Sequence, residues 1–323
     1  MKKLTLALVV CGAFAASAQA ADSSVVIYGL IDLGIAKTSG AATTASPNLD
    51  AVQQRANHAS RLGFRGNEDL GNGLSALFQL ETEFLADTGA ARDPFWTRIA
   101  TVGVAGGFGT VKFGRIKGVV DGAVGRVDPF NNDGVIGDNT TLVMRGKVSQ
   151  SRLSNAITYN SNTMAGFGIN AQYILSEVKT LDAGYEFLVT YDNGPISAHI
   201  GYERPVQVAV VAPAALLEPA MVVVGGGYKF GPAKITAAYT VGDPKTPATG
   251  KYKGILVGLN YTIGAGDAKL VLAKQKTDVK DVVKEIGIGY DYHMSKRTDV
   301  YAYLGREQVV GATAVQFGVS HKF

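Results

Sequence analysis

The sequence predicts an all-β fold, a transmembrane antiparallel β-barrel of sixteen strands with one long segment folded into it. Three observations carry that expectation. From Val25 to Phe323, short stretches alternate apolar and polar residues, as a strand does when its two faces meet different surroundings. The connections between those stretches are short and long in turn. One stretch, Lys117–Gln150, keeps no period-2 pattern and is broken by six glycines and Pro129. Connections of that length in a compact fold are usually functional or disordered.

In chain order, Met1–Ala20 reads as a signal peptide. Lys2 and Lys3 precede a mostly apolar run, and Ala18-Gln19-Ala20 is a small-residue cleavage site. Cys11 follows Val10, a poor fit to the small residue that lipoprotein processing needs. The chain beyond Ala20 contains no cysteine, so packing, backbone pairing or a membrane must hold it together.

The first strand, Val25–Ala36, sets Val25, Ile27, Ile31, Leu33 and Ile35 on one face and Tyr28, Asp32, Gly34 and Ala36 on the other. The same division recurs in Phe167–Tyr173, Ile196–Glu203, Lys234–Val241 and Glu285–His293. The stretches Ala268–Gln275 and Thr298–Arg306 alternate less cleanly. In the last strand Val315, Phe317, Val319, His321 and Phe323 share a face.

Alternation by itself fits a soluble sandwich as well as a membrane barrel. The oily faces, however, often end in Tyr or Phe, as aromatic girdles at two membrane surfaces require. The opposite faces are rich in Gly, Asn, Thr and charge, which suits a wet interior. Seven short connections, such as Asn67–Gly73, Ala105–Gly109 and Asp192–Gly194, alternate with eight longer ones, including Thr38–Ala59, Leu85–Pro94 and Pro205–Glu218. Turns on one rim and loops on the other form the bacterial outer-membrane pattern, at about 19 residues per strand and connection. Lys117–Gln150 then reads as an irregular flap that folds inside the wall and narrows the hole.

Composition excludes several other classes. The net charge of +4 falls to about +2 once Lys2 and Lys3 are removed, which is no nucleic-acid binder's excess of base. The nearest candidate for a membrane helix, Val206–Val224, is interrupted by Gln207, Pro213, Glu218 and Pro219. His58, His199, His293 and His321 lie on separate segments without metal-ligand spacing. No Ser sits in a G-x-S-x-G setting, and Gly106–Gly109 lies between strands, where a phosphate cradle would lack its following helix. No cofactor or catalytic residue is expected.

Ser23–Ala36, Ser60–Glu81, Gly106–Arg115, Met294–Gly305 and Phe317–Phe323 together resemble the Gram-negative general porins of β-proteobacteria, of the neisserial, Bordetella and Comamonas type. The likeness spans the whole chain after the signal. It implies a homotrimer of sixteen-stranded barrels, a third external loop inserted in each pore, and passive diffusion of small hydrophilic solutes and ions, often with anion preference. Outer-membrane lipid and lipopolysaccharide are the expected surroundings.

Parity gives the candidate pore residues. In Ser60–Asn67, Leu62 and Phe64 face lipid, so Arg61, Gly63 and Arg65 face in. In Ser151–Asn160, Leu153, Ile157 and Tyr159 face lipid, so Arg152 faces in. Arg98 has no fixed parity, because Ile99 and Ala100 both tolerate lipid. By resemblance, Arg61, Arg98 and Arg152 match the basic side of the family's constriction, with Arg65 beside them. Arg115 shares a face with Val111 and Phe113, so the sequence leaves open whether it faces the lumen or lies above the membrane zone. The expected acids are Glu81 on the wall and Asp121 on the flap, opposing the arginines across the hole.

The sequence departs from the family in two places. Val206–Val224 is oily for an external loop, and Asp121–Phe130 is poor in aromatics. Besides the general diffusion pore, two other readings fit: a channel selective for organic anions, and a plugged barrel acting as an adhesin or anchor. Conductance and solute competition separate the three.

Overall fold

In the computed structural model, the structure describes residues 24–40, 50–146, 148–206, 219–245 and 250–323, with backbone alone at 208–210 and 215–217. The expected signal peptide, Met1–Ala20, lies outside the described residues.

Sixteen strands form the wall. They are β1 (Ser24–Ser39), β3 (Arg61–Gly71), β4 (Leu74–Glu83), β5 (Ile99–Gly106), β6 (Gly109–Lys117), β7 (Arg152–Asn160), β8 (Phe167–Ile174) and β9 (Gly184–Asn193). Then follow β10 (Ile196–Arg204), β13 (Ala220–Phe230), β14 (Ala233–Asp243), β15 (Tyr252–Ile263), β16 (Gly266–Thr277), β17 (Asp281–His293), β18 (Thr298–Glu307) and β19 (Ala312–Lys322). Three short strands, β2 (Val52–Gln54), β11 (Val208–Val210) and β12 (Ala215–Leu217), lie in the long connections. Each wall strand pairs antiparallel with its neighbours in sequence. The ring closes where β1 pairs with β19, from Leu30↔Lys322 to Ser39↔Thr313. Closure leaves no open edge, so every lipid-facing backbone group finds a partner within the wall.

The faces divide as the alternation predicts. Val25, Ile27, Ile31 and Ile35 of β1 and Phe317, Val319 and Phe323 at the end of the chain are exposed on the outside. Asp32, between them, is fully enclosed and accepts from the backbone N–H of Asn57 and the hydroxyl of Tyr301. One boundary differs. The first turn is confined to residues 72–73, because Asn67–Gly71 continues β3 and pairs with β4, with a bulge after Asp69. A polar run beyond the membrane surface can still complete its ladder.

The inserted segment also differs. It holds two helices, α1 (Val119–Gly125) and α2 (Gly134–Arg145), where an irregular flap was expected. Its glycines allow close packing here. Gly134 has φ +74°, and a Cβ there would lie 2.1 Å from Asn57 Oδ1. Val120, Val124, Phe130, Ile136, Val143 and Met144 form an apolar core between this segment and the wall, against Met221, Val223, Leu256, Val271 and Tyr303. Each such side chain contributes about 1.5–3 kcal/mol on full burial.

That packing explains the strands that alternated poorly. β16 is apolar inside at Val271 and Ala273 because the inserted segment covers it, and β18 turns Tyr301 and Tyr303 inward. The oily end of Val206–Val224 has the same cause. Met221 and Val223 face the inserted segment, while Val222 and Val224 face out. No helix among the described residues is long and apolar enough to cross a membrane, which says nothing against crossing by strands.

Candidate functional site

The inserted segment is pinned to one side of the lumen. Gln275 Nε2 donates to the carbonyls of Leu142 and Val143 at 2.7 and 3.1 Å, and Tyr252 donates to Arg145 O at 2.7 Å. Glu186 accepts from Val120 N–H at 2.9 Å, and Asn139 donates to Glu285 at 2.9 Å. All these wall residues lie on β9 or beyond. The wall from β3 to β7 packs on neither helix, and open space lies there and below the inserted segment.

That space is two cavities that meet. The upper, about 720 Å³, is bounded by the loop-side ends of the strands and includes Arg92, Arg115 and Arg152. The lower, about 880 Å³, reaches Asp267, His293 and Lys322 near the short turns and includes His58 and Arg61. Four residues line both: Arg98 and Lys117 on the wall side, Asn131 and Asp133 on the inserted segment. These four mark the neck between the two halves of the lumen.

Local structure places each side chain. Arg61 opens β3, and its guanidinium donates to Ala59 O at 3.3 Å. Arg152 opens β7 and donates to Ser151 O at 3.0 Å. Among the described residues, neither has a carboxylate within ion-pair distance. Arg98, just ahead of β5, differs: it donates to Glu81 at 2.5 Å and to Glu83 at 3.1 Å. Tyr28 adds a hydrogen bond to Glu81 at 2.9 Å. Arg65 lines a separate cavity of about 300 Å³ with Gln79 and Lys112, its guanidinium 5.3 Å from the centre of the Tyr28 ring.

Of the two acids named from sequence, Asp121 lines the upper cavity with Arg98, Arg115 and Arg152, and both acids are held in ion pairs. Glu81 stands on the arginine wall itself, 5 % exposed and occupied by Arg98 and Tyr28. Asp121 is 2 % exposed, held by Lys117 at 3.2 Å and Arg145 at 2.8 Å, so it ties the start of the inserted segment to the end of α2. Period-2 parity identifies a face but not who else reaches it.

The acid that does face the neck is Asp133, which sequence reasoning missed. It follows two asparagines in the left-handed region, Asn131 at φ +56° and Asn132 at φ +62°, a conformation asparagine tolerates. Asp128 fixes this turn by accepting from the N–H groups of Phe130 and Asn132, both at 2.9 Å, and from Thr140 at 2.5 Å. Burial pushes the Asp133 carboxyl above the ordinary range, while His58, Arg98 and Lys117 pull it back.

Parity left Arg115 open, and a register break sets its place. Gly114 has φ +122°, and the pairing of β6 with β7 shifts register between Gly114 and Ile116, with Asn155 at φ +57° on the other strand. The break carries Arg115 to the upper cavity, where it donates to Thr97 O and Ser154 Oγ, each at 2.7 Å. The same bulge withdraws Leu153 from lipid into a cluster with Ala156 and Ile174. A lone glycine inside strand β6 was the available signal.

Comparison with known proteins agrees with this geometry. The Gram-negative porin family profile matches residues 5–311. An outer membrane porin protein of Delftia acidovorans is 31% identical over 322 residues, covering 94% of this chain and 89% of its own length. One from Bordetella pertussis is 28% identical, with both chains covered in full. Among solved structures, an anion-selective porin from Comamonas acidovorans superposes with TM-score 0.78 at 26% identity, covering 94% of this chain and all of that one. A family of this kind, on a closed barrel of this size, implies a channel rather than an enzyme. The chain belongs to the Gram-negative porin family and forms an outer-membrane β-barrel channel.

Proposed function

We propose that this porin is a passive diffusion channel for small hydrophilic solutes with a mild preference for anions, working as a homotrimer after removal of Met1–Ala20. The observation that carries the reading is the neck. One side presents Arg61, Arg98, Lys117, Arg115 and Arg152, and the inserted segment opposes them with Asn131 and Asp133. Arg98 is paired with Glu81 and Glu83, whereas Arg61, Arg115 and Arg152 form no ion pair among the described residues. In an opening with low-dielectric walls, such charges act more strongly than on an open surface and favour the entry of anions. Arg65 extends the basic lining, Glu81 orients Arg98, and Asp121 staples the inserted segment.

Two cavities that share lining residues favour a passage over a plugged barrel serving as adhesin or anchor. The structure from Comamonas is named anion-selective, and OmpT, an outer membrane protein of Vibrio cholerae, is described in a trimer form, both in keeping with the proposal. Lipopolysaccharide is the expected neighbour of the outer wall. In planar bilayers, the purified protein should give stepwise conductance, in threes for a trimer. The Arg61→Glu/Arg152→Glu variant should move the reversal potential in a salt gradient toward cations. An unchanged potential would remove these arginines from the selectivity mechanism, and an absence of steps would remove the channel.

A further inference from the structure

The outside of the wall carries a charge pattern that diffusion through the lumen does not need. On β15, the outward column runs Lys253, Ile255, Val257, Leu259, Tyr261. Its inner neighbours pack on the inserted segment: Gly254 lies against Val143. On β16, Gln275 bonds that segment, so Lys274 and Lys276 on either side of it point out. On β17, Glu285 bonds Asn139 inside, so Lys284 points out.

These lysines meet one another. Lys253 pairs directly with Lys276, and Lys274 with Lys284. Like charges directly opposite on one face of a sheet are destabilising, and neighbouring strands stand only about 4.8 Å apart. Arg306 extends the patch on β18, where it donates to Gly311 O and Thr313 Oγ1. The one acid that β15 to β18 turn outward among them is Asp281, 2.8 Å from Lys274. Asp281, which also stands opposite Lys276, offsets one of these charges, and the cluster keeps a net positive charge that an external anion can meet.

The patch has a side and a height. It lies on the rim of the long loops, directly above the exposed aliphatic band of Ile255, Leu272 and Ile286. The same columns end at the opposite rim in Tyr261 and Tyr292, without charge. Elsewhere on the loop-side rim, β8 to β10 turn out Tyr173, Tyr185 and Tyr202, with Arg204 over the Tyr185 ring and 3.3 Å from Asp182. The lysines thus sit where one leaflet's headgroups touch the wall, over one sector of the barrel.

We infer that Lys253, Lys274, Lys276 and Lys284 form a docking site for the phosphate groups of lipopolysaccharide in the outer leaflet. The inference rests on the proposed lipopolysaccharide contact and gives it a location. A lysine near a membrane surface binds anionic lipid as a point charge, at a strength that falls with salt.

The test is native mass spectrometry of the full-length protein in mild detergent, titrated with diphosphorylated lipid A, enzymatically dephosphorylated lipid A and phosphatidylglycerol. Lys253→Gln/Lys274→Gln/Lys284→Gln is compared with wild type. Wild type should prefer diphosphorylated lipid A, and the variant should lose about a hundredfold in that affinity. Dephosphorylated lipid A should bind both proteins alike. Bilayer conductance and heat-modifiable mobility, which report pore and fold, should be unchanged. Equal affinity of the two proteins for diphosphorylated lipid A would overturn the site while leaving the contact itself standing. No binding by wild type would overturn the contact as well. Equal competition by phosphatidylglycerol, or a changed oligomer with lipid affinity intact, would overturn lipopolysaccharide as the occupant.

Discussion

The two halves of the lumen wall solve opposite problems. From β9 to β19 the loop-side part of the inner face is covered by α1 and α2, and its residues there are those of a protein core: Met221, Leu256, Val271 and Tyr303 inside, with Gln275 and Glu285 reaching the inserted segment. From β3 to β7 the inner face packs on neither helix, and it carries Arg61, Arg65, Lys112, Arg115 and Arg152. The same strand geometry therefore builds a packing surface on one side and a charged bank on the other. The passage lies off centre, between the bank and the segment leaning on the packed half. A pore of this type needs both halves, since a charged bank selects only if something rigid stands close to it.

The largest expected effect comes from breaking the packed half. Ile136 is completely enclosed between α2 and the wall. Ile136→Asp would bury an unpaired carboxyl, at a cost of about 3 kcal/mol or more. The inserted segment should leave the wall while the ring of strands stays closed. Single-channel conductance should rise and become noisy, and protease should cut within residues 118–150. A variant with wild-type conductance and protection would show that the segment is held by other means.

Next in size is the Arg98–Glu81 ion pair on the bare side. Arg98→Gln strands Glu81, which is almost fully enclosed, and should destabilise the barrel by about 3 kcal/mol. Arg61→Gln breaks no ion pair and should cost under about 1 kcal/mol. Denaturant unfolding followed by tryptophan fluorescence compares them, and equal costs would erase the distinction between paired and bare arginines.

The smallest effect sharpens the field across the neck. The Asp133 carboxyl is raised, so on acidification it takes up its proton at a higher pH than an ordinary carboxylate would. Its loss of negative charge should increase anion preference as pH falls through that raised value. Asp133→Asn should show the increased preference already at neutral pH, with a flatter pH dependence over that range. Reversal potentials measured from neutral to acid pH decide it. A variant that titrates as wild type does would assign the acid limb to another group.

The sequence alone was enough for the barrel. Two faces in different media impose period-2 alternation, and a closed antiparallel wall imposes turns on one rim and loops on the other. Both constraints act locally, so each strand declares itself. They also point Arg61 to the lumen side without any knowledge of its neighbours, whereas the same reading of Arg152 assumed that Leu153 faces lipid, which the register break undoes. Where the inserted segment covers the wall, this legibility fails: Val271 and Tyr303 are apolar and inward because of residues more than a hundred positions away. Only the tertiary structure shows that α1 and α2 fold helically against that wall, that Glu81 and Asp121 are already occupied, and that Asp133 is the acid in the neck. It also shows how a single break at Gly114 turns Arg115 inward. Strand alternation reports the medium on each side of a residue, while pairing, burial and register breaks depend on contacts that exist only once the ring has closed around its insert.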